Sequence, residues 1–118
     1  MSRILSISYD ATLLRTRQML LERAGYEVVS TSDLTRALEL CRSAAYDLVI
    51  MGHSIPRSDK QQITQALRQY CPAPVLALLR VGEAPLPDAA ESIDPFNPKL
   101  LLETVARILT PGKKATSP

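Results

Sequence analysis

Short apolar runs alternate with longer segments of helical repeat along this 118-residue chain. The runs are rich in aliphatic and β-branched residues and predict strands at 3 to 8, 26 to 30, 47 to 51 and 73 to 79. The third run is apolar at every position from Leu48 to Met51. That pattern favours a central parallel strand covered on both faces.

The first segment of helical repeat follows Asp10, a residue that commonly caps helices. Leu14, Leu21 and Ala24 share one face of this predicted helix, which gives it an apolar side. Gly25 follows at once and is expected to end it, because glycine readily adopts the left-handed conformation found at helix ends.

Three later helices are predicted by the same pattern. The second begins at Ser32 or Asp33, the third spans about 60 to 70, and the last begins at Asn97-Pro98, a capping residue before a proline suited to the first turn. Their apolar stripes are, in chain order, Leu34, Ala37, Leu38 and Cys41; Ile63, Ala66, Leu67 and Tyr70; and Leu101, Val105 and Ile108.

Alternating strands and helices predict an α/β fold, a single-domain doubly wound sheet of five parallel strands with helices on both faces. In such sheets the functional site lies at the carboxyl ends of the strands. This rule points to the loops at 8 to 10, 52 to 56, 79 to 80 and 93 to 95.

Composition fits one folded domain, with 46% hydrophobic and 22% charged residues. We expect it to span 1 to 110, with 111 to 118 as a flexible tail or truncated linker. The net charge of +2 comes from Lys113 and Lys114 in that tail, so the neutral body predicts no direct binding to nucleic acid or acidic membranes. Without a membrane-spanning run or signal peptide, a cytoplasmic location is expected.

The residues that often bind metals are scattered. Cys41 and Cys71 lack metal-ligand and redox spacing, and His53 is the only histidine. We therefore expect no metal and no cofactor, and interpret His53 as an exposed loop residue. Asp59 is expected to cap the third helix.

Six segments in this order and spacing, RILSISYD, AGYEVVSTSDLTRAL, YDLVIM, IP, APVLALL and DPFNPKLL, resemble the CheY-like receiver domain of bacterial response regulators over residues 3 to 110. The resemblance implies a flavodoxin-like fold and a phosphoacceptor aspartate ending strand three. It also implies an acidic pair that holds Mg²⁺ after strand one, a hydroxyl residue ending strand four, an aromatic residue on strand five, and a lysine before a proline after it.

This chain departs from the family at every one of those positions. The acceptor position is Gly52, the acidic pair is Ser8 and Tyr9, and the hydroxyl, aromatic and lysine positions are Leu79, Glu91 and Asp94. Glycine offers no nucleophile, and Ser8 and Tyr9 bring no formal charge to a Mg²⁺ site. Asp94 reverses the charge that would balance phosphate. The resemblance therefore implies a degenerate pseudo-receiver that is not an enzyme.

The segment from 80 to 91 is shorter than the family usually has, and its prolines block a regular helix. We expect the fourth helix to be shortened or missing, reduced to a short turn after Asp88. Because intact receivers often bind partners on this side, Leu86 is either tucked under the sheet edge or presented to another chain. The candidate interaction face comprises Val81, Pro85, Leu86 and Pro87.

These residues favour a phosphorylation-independent protein-binding module in two-component signalling, whose partner is another protein or a second copy of this chain. Two alternatives remain open. One is a phosphoacceptor role for Asp10, Asp47 or His53, and the other is a flavodoxin-like small-ligand binder that uses the space left by Gly52. The family often has a cis peptide before the proline after strand five, and Pro95 is predicted to keep it.

Overall fold

The structure is a computed structural model that describes residues 2–70, 73–87, 89–94 and 97–109. Within these residues, five strands and four helices alternate, except that the fourth strand is followed by the fifth with no helix in the described residues between them. The strands are β1 (Arg3–Ile7), β2 (Glu27–Thr31), β3 (Leu48–Met51), β4 (Val75–Leu78) and β5 (Glu91–Ile93), and the helices are α1 (Ala11–Arg23), α2 (Leu34–Ser43), α3 (Arg57–Tyr70) and α4 (Pro98–Leu109).

All strand pairs are parallel, and the order across the sheet is β2-β1-β3-β4-β5. The central strand β3 sets Met51 beside Ile7 on one side and Ala77 on the other. All four residues of β3 are buried, as expected for a strand with layers on both faces. The predicted α/β fold with a five-stranded parallel sheet is confirmed.

Two layers of helices enclose the sheet because neighbouring strand residues point to opposite faces. Val49 and Met51 of β3 face α2 and α3, whereas Leu48 and Ile50 face α1 and α4. The helix residues buried against them are Ala37, Cys41, Ile63 and Leu67 on the first face, and Leu21, Leu101 and Val105 on the second.

The predicted helix ends are confirmed where the signal is local. Asp10 Oδ1 accepts hydrogen bonds from the amides of Thr12 and Leu13, both at 3.0 Å, and Gly25 follows α1 with a φ of 100°. Asp33 rather than Ser32 caps α2. In front of α4, Asn97 Oδ1 accepts the Leu100 amide at 3.0 Å.

Other details of the helix predictions are wrong. Helix α3 begins at Arg57, because the Pro56 carbonyl already accepts the first helical hydrogen bond from the Lys60 amide at 2.9 Å. Asp59 thus lies inside the first turn and is not the cap. Tyr70, predicted for the apolar stripe, is 46% exposed and stacks under the Arg42 guanidinium at 4.4 Å. Ala24 lies beyond the end of α1 and is exposed.

Between β4 and β5, the described residues 79–87 and 89–90 form no helix, in agreement with the predicted loss of the fourth helix. Several predictions fall outside the described residues: the turn after Asp88, the cis peptide before Pro95, the role of Cys71 and the tail from 111. The domain boundaries therefore stay a prediction. No helix within the described ranges has the length and apolar character needed to cross a lipid bilayer.

Candidate functional site at the carboxyl end of the sheet

Gly52 lies directly after β3 and is buried. Its amide donates to the Ile7 carbonyl at 2.8 Å, which continues the sheet pairing, and its carbonyl accepts from the Ile55 amide at 3.2 Å. A Cβ atom built on Gly52 would lie 3.0 Å from both Cβ and Oγ of Ser8 and 3.2 Å from Nη1 of Arg17. Even one added carbon atom would press on Ser8, so Gly52 does not open the room for a small ligand that the sequence suggested.

Ser8 and Tyr9, at the degenerate metal positions, join the loop after β1 to the loop after β3. The Oγ atoms of Ser8 and Ser54 are 2.9 Å apart, and the Tyr9 amide donates to Ser54 Oγ at 3.1 Å. The Tyr9 hydroxyl donates to Asp59 Oδ2 at 3.0 Å. Burial and this hydrogen bond raise the pKa of Tyr9. Both residues are therefore neutral parts of a hydrogen-bonded network.

Arg17 is a site residue that the sequence interpretation missed. Its side chain runs from α1 to Gly52, is only 7% exposed, and its buried Nη1 atom has no hydrogen-bond partner within the described part of the chain. Burial lowers the pKa of Arg17, yet a guanidinium stays protonated in proteins. A positive charge thus lies where the family resemblance implies carboxylates. The sequence did contain a signal for the burial of Arg17, because Arg17 has helical spacing to Leu14 and Leu21, which are also buried.

Lys60 of α3 is a second buried cation. Its Nζ atom donates to the Leu78 carbonyl and to Glu83 Oε1, both at 2.8 Å. Glu83 also accepts from the Arg80 amide at 2.8 Å and from Arg57 Nη1 at 3.3 Å. Burial alone would raise the pKa of Glu83, but these hydrogen bonds and the Lys60 charge hold it below its ordinary value. Unlike Arg17, Lys60 therefore has a carboxylate partner.

Two arginines fasten the segment after β4 to the loop after β3. Arg80 donates from Nε to the His53 carbonyl at 2.9 Å and from Nη2 to the Ser54 carbonyl at 3.0 Å. Arg57 donates from Nη1 to the Ala84 carbonyl at 2.7 Å and from Nη2 to the Pro85 carbonyl at 3.3 Å. These contacts hold the two loops at the carboxyl end of the sheet in one arrangement.

His53 lies among positive charges. Burial lowers its pKa, and the charges of Arg17, Lys60 and Arg80 lower it further, so the imidazole is mostly neutral at pH 7. Among the described residues, no cluster of three or more His, Cys, Asp or Glu side chains could hold a metal ion. The residues around Gly52 do not fit the Mg²⁺ that the family resemblance implies, because Ser8 and Tyr9 are neutral and Arg17 is positive.

The remaining degenerate positions have structural contacts. The Leu79 amide donates to the Ile93 carbonyl at 2.9 Å, and the Leu79 side chain packs partly against the core. Glu91 Oε2 accepts from Arg107 Nε at 3.3 Å, which links β5 to α4. Asp94 is exposed and helps to line a cavity of about 280 Å³ with Leu79, Arg80, Val81, Gly82 and Glu83.

The candidate interaction face is divided by the structure. Val81 is 91% exposed, and Pro85 and Pro87 are also exposed. Leu86 is only 3% exposed and belongs to the core layer beneath α2 and α3, with its amide donating to Ser92 Oγ at 3.0 Å. Of the two alternatives for Leu86, the structure shows the tucked one, so Leu86 does not belong to the exposed face.

Comparison with known proteins gives both sequence relatives and structural neighbours. No protein-family model matches the sequence. The chain is 28% identical over 122 residues to the probable transcriptional regulator ycf27 of Porphyra purpurea, which covers 98% of this chain and 50% of that protein. It is 35% identical over 78 residues to the two-component response regulator ARR10 of Arabidopsis thaliana, covering 64% of this chain and 14% of that protein. The chain thus spans about half the length of the ycf27 relatives.

Solved structures agree with these relatives. The chemotaxis protein CheY4 of Vibrio cholerae superposes with a TM-score of 0.77 at 28% identity, over 92% of this chain and 99% of that one. The N-terminal domain of a response regulator/sensory box/GGDEF protein from Carboxydothermus hydrogenoformans gives a TM-score of 0.83 at 19% identity, over 98% and 100% of the two chains, and shows the fold alone. Sequence relatives and structural neighbours therefore both support a response regulator receiver domain of the CheY-like type for this chain.

Proposed function

We propose that this receiver domain acts in signal transduction without accepting a phosphoryl group, as a module that binds another protein. The observation that carries the proposal is Gly52, which stands at the end of β3 without a nucleophile and packs against Ser8 and Arg17. The domain is proposed not to be an enzyme and to need no cofactor.

The alternative phosphoacceptors have other roles in the structure. Asp10 caps α1 through two backbone amides, and Asp47 accepts the Arg3 amide at 2.8 Å at the opposite end of the sheet. His53 is next to Gly52, but among the described residues no cluster of acidic side chains lies there to hold Mg²⁺. Metal ions are what neutralise the charge of a transferring phosphoryl group. These contacts favour the phosphorylation-independent function over phosphoacceptance.

A single output conformation is the second part of the proposal. The loops at 53–57 and 80–85 are joined by Arg57 and Arg80, and the buried pair of Lys60 and Glu83 holds the same segments together. The family resemblance assigns the switch to a hydroxyl residue and an aromatic residue, whereas this chain has Leu79 and Glu91 there. The contacts support a receiver held in one state.

A protein partner follows from this proposal. One structural neighbour, the response regulator TrrA of Thermotoga maritima, was crystallised in complex with the histidine kinase ThkA. For this chain we propose contact through the exposed residues Val81, Pro85 and Pro87, with a second copy of the chain as the other candidate partner. Direct binding to nucleic acid is not part of the proposal, and a cytoplasmic location stays a prediction.

The test is treatment of the purified chain with acetyl phosphate and Mg²⁺, followed by intact-mass measurement. TrrA, which has been crystallised with Mg²⁺ and BeF, serves as the matched control for a parallel titration with beryllofluoride followed by NMR. We expect no mass adduct and no Mg²⁺-dependent beryllofluoride signal from this chain. A stable phosphoryl adduct on the native protein, mapped to residues 52 to 56, would falsify the proposal.

A further inference from the structure

A cavity of about 330 Å³ lies at the amino end of the sheet, at the opposite end of β3 from Gly52. Residues 41–46, which end α2 and lead into β3, form most of its wall, and Tyr70, the last residue of α3, completes it. Small-molecule sites in proteins begin at about this size, and a cavity of roughly half the volume can hold benzene. The cavity therefore has room for one aromatic ring with a substituent.

The wall of this cavity combines aromatic and apolar surface with one cation. Tyr46 is only 8% exposed and belongs to the core layer beneath α2 and α3, and Ala44 packs against the same layer. The Tyr70 ring is exposed and can therefore contact a molecule that enters from solvent. Arg42 is the one charged side chain among the described residues of the wall. This combination suits a ligand with a flat apolar body and a negative group.

The Arg42 guanidinium is held in place by stacking and not by hydrogen bonds. It lies over the Tyr70 ring at 4.4 Å, and it forms no hydrogen bond or ion pair with any described residue. By contrast, Arg57, Arg80 and Arg107 all donate to backbone carbonyls or carboxylates. Stacking on an aromatic face leaves the N–H groups at the guanidinium edge available, and two of them match the two oxygens of a carboxylate.

A backbone donor lies in the same wall as Arg42. The Ala45 amide forms no hydrogen bond within the described part of the chain. Asp47, which follows the wall in sequence, accepts the Arg3 amide at 2.8 Å and is not paired with Arg42. The end of α2 carries the partial negative charge of a helix C-terminus, but the full positive charge of Arg42 exceeds it. The cavity therefore favours a negative group at the Arg42 edge.

We propose that this cavity binds a small aromatic carboxylate. The ring of the ligand lies against Tyr46 and Tyr70, and its carboxylate accepts hydrogen bonds from Arg42 and the Ala45 amide. This inference goes beyond the proposed function, because occupation of the cavity requires neither phosphoryl chemistry nor a protein partner. Benzoate is the simplest probe.

The test is an NMR titration of the whole chain with benzoate at constant ionic strength. We expect saturable shifts at Ala44, Ala45 and the Tyr70 ring, with a dissociation constant of about 1 mM for a ligand of this size. Benzamide carries the ring without the charge, acetate carries the charge without the ring, and each should bind about tenfold more weakly. Absence of saturable benzoate shifts at these residues, or equal affinity for either matched probe, overturns the proposal.

Variants of two exposed arginines of α2 separate the role of Arg42 from that of general charge. Arg42→Met removes the N–H donors and should weaken benzoate binding about tenfold. Arg36→Met, the matched control, removes the same charge from a position outside the cavity and should leave the affinity unchanged. A loss of affinity in both variants, or in neither, overturns the proposal. The two proposals fail separately, since a covalent phosphoryl adduct refutes only the proposed function and absence of benzoate binding refutes only this inference.

Discussion

The Nη1 atom of Arg17 lies 3.2 Å from the position that a Cβ atom would occupy at Gly52. An aspartate introduced there would meet a buried cation. Gly52→Asp and Gly52→Asn both overpack Ser8, at a cost of about 1–3 kcal/mol. The aspartate regains stability by pairing with Arg17, so we expect it to be the more stable of the two at pH 7, as measured by urea denaturation.

The acid dependence of this difference provides the control. An ion pair with Arg17 lowers the folded-state pKa of the introduced carboxyl. Its stabilising contribution is then present above the unfolded-state pKa of about 3.9 and is lost as the pH falls through the lower folded-state value. An asparagine variant that is as stable as the aspartate variant at pH 7 would contradict the pairing.

Glu83 neutralises the fully buried Lys60, so Glu83→Leu should be severely destabilising. Removal of one partner from a buried ion pair costs about 3–5 kcal/mol, and the double variant Lys60→Met with Glu83→Leu should recover most of that loss. Glu39→Leu is the matched control, because its pair with Arg36 is exposed and contributes less than about 1 kcal/mol. Equal effects of the two Glu→Leu changes in urea denaturation would refute the role of the buried pair.

The lowered pKa of Glu83 makes the stability of the wild-type chain sensitive to acid. The contribution is complete above the unfolded-state pKa of about 4.3 and is lost as the pH falls through the lower folded-state pKa. We expect the free energy of unfolding to fall over that acidic window. The Glu83→Gln variant should show a shallower fall, and identical pH profiles for the two proteins would count against this assignment.

Substitutions at Leu86 and Val81 distinguish a packing role from a binding role for the segment between β4 and β5. Leu86→Ala should cost about 2–5 kcal/mol because it empties a core position. Val81→Glu should leave the melting temperature nearly unchanged, since Val81 is exposed. If this face binds a second copy, sedimentation velocity should show weaker association for Val81→Glu alone. Unchanged association would remove Val81 from the candidate face.

The fold was predictable because its signals are local. Asp10 and Asn97 are capping residues that mark the starts of α1 and α4 in the sequence, and the unbroken apolar run of β3 indicates its central place in the sheet. The degenerate positions such as Gly52 could also be located from the order of the motifs. The beginning of α3 was predicted too late, because the helical hydrogen bonds start at the Pro56 carbonyl, whereas the apolar stripe starts only at Ile63.

The positive charge at the carboxyl end of the sheet could not be predicted from local sequence patterns. Asp94 suggested repulsion of anions, whereas the structure brings Arg17 and Arg80 to the carboxyl end of the sheet from segments distant in sequence. Their convergence depends on tertiary packing, which single-sequence patterns do not report. A partial signal existed in the helical spacing of Arg17 with Leu14 and Leu21, because a charged residue within a buried stripe marks an unusual site.

The short β5 strand limits how copies of this domain can join. Edge strands expose unpaired backbone groups that can recruit a strand from another molecule. β5 forms one edge of the sheet with only three residues, Glu91–Ile93. Such an edge offers few groups for intermolecular sheet extension, so self-association at this side would depend on side-chain contacts and remain sensitive to single substitutions.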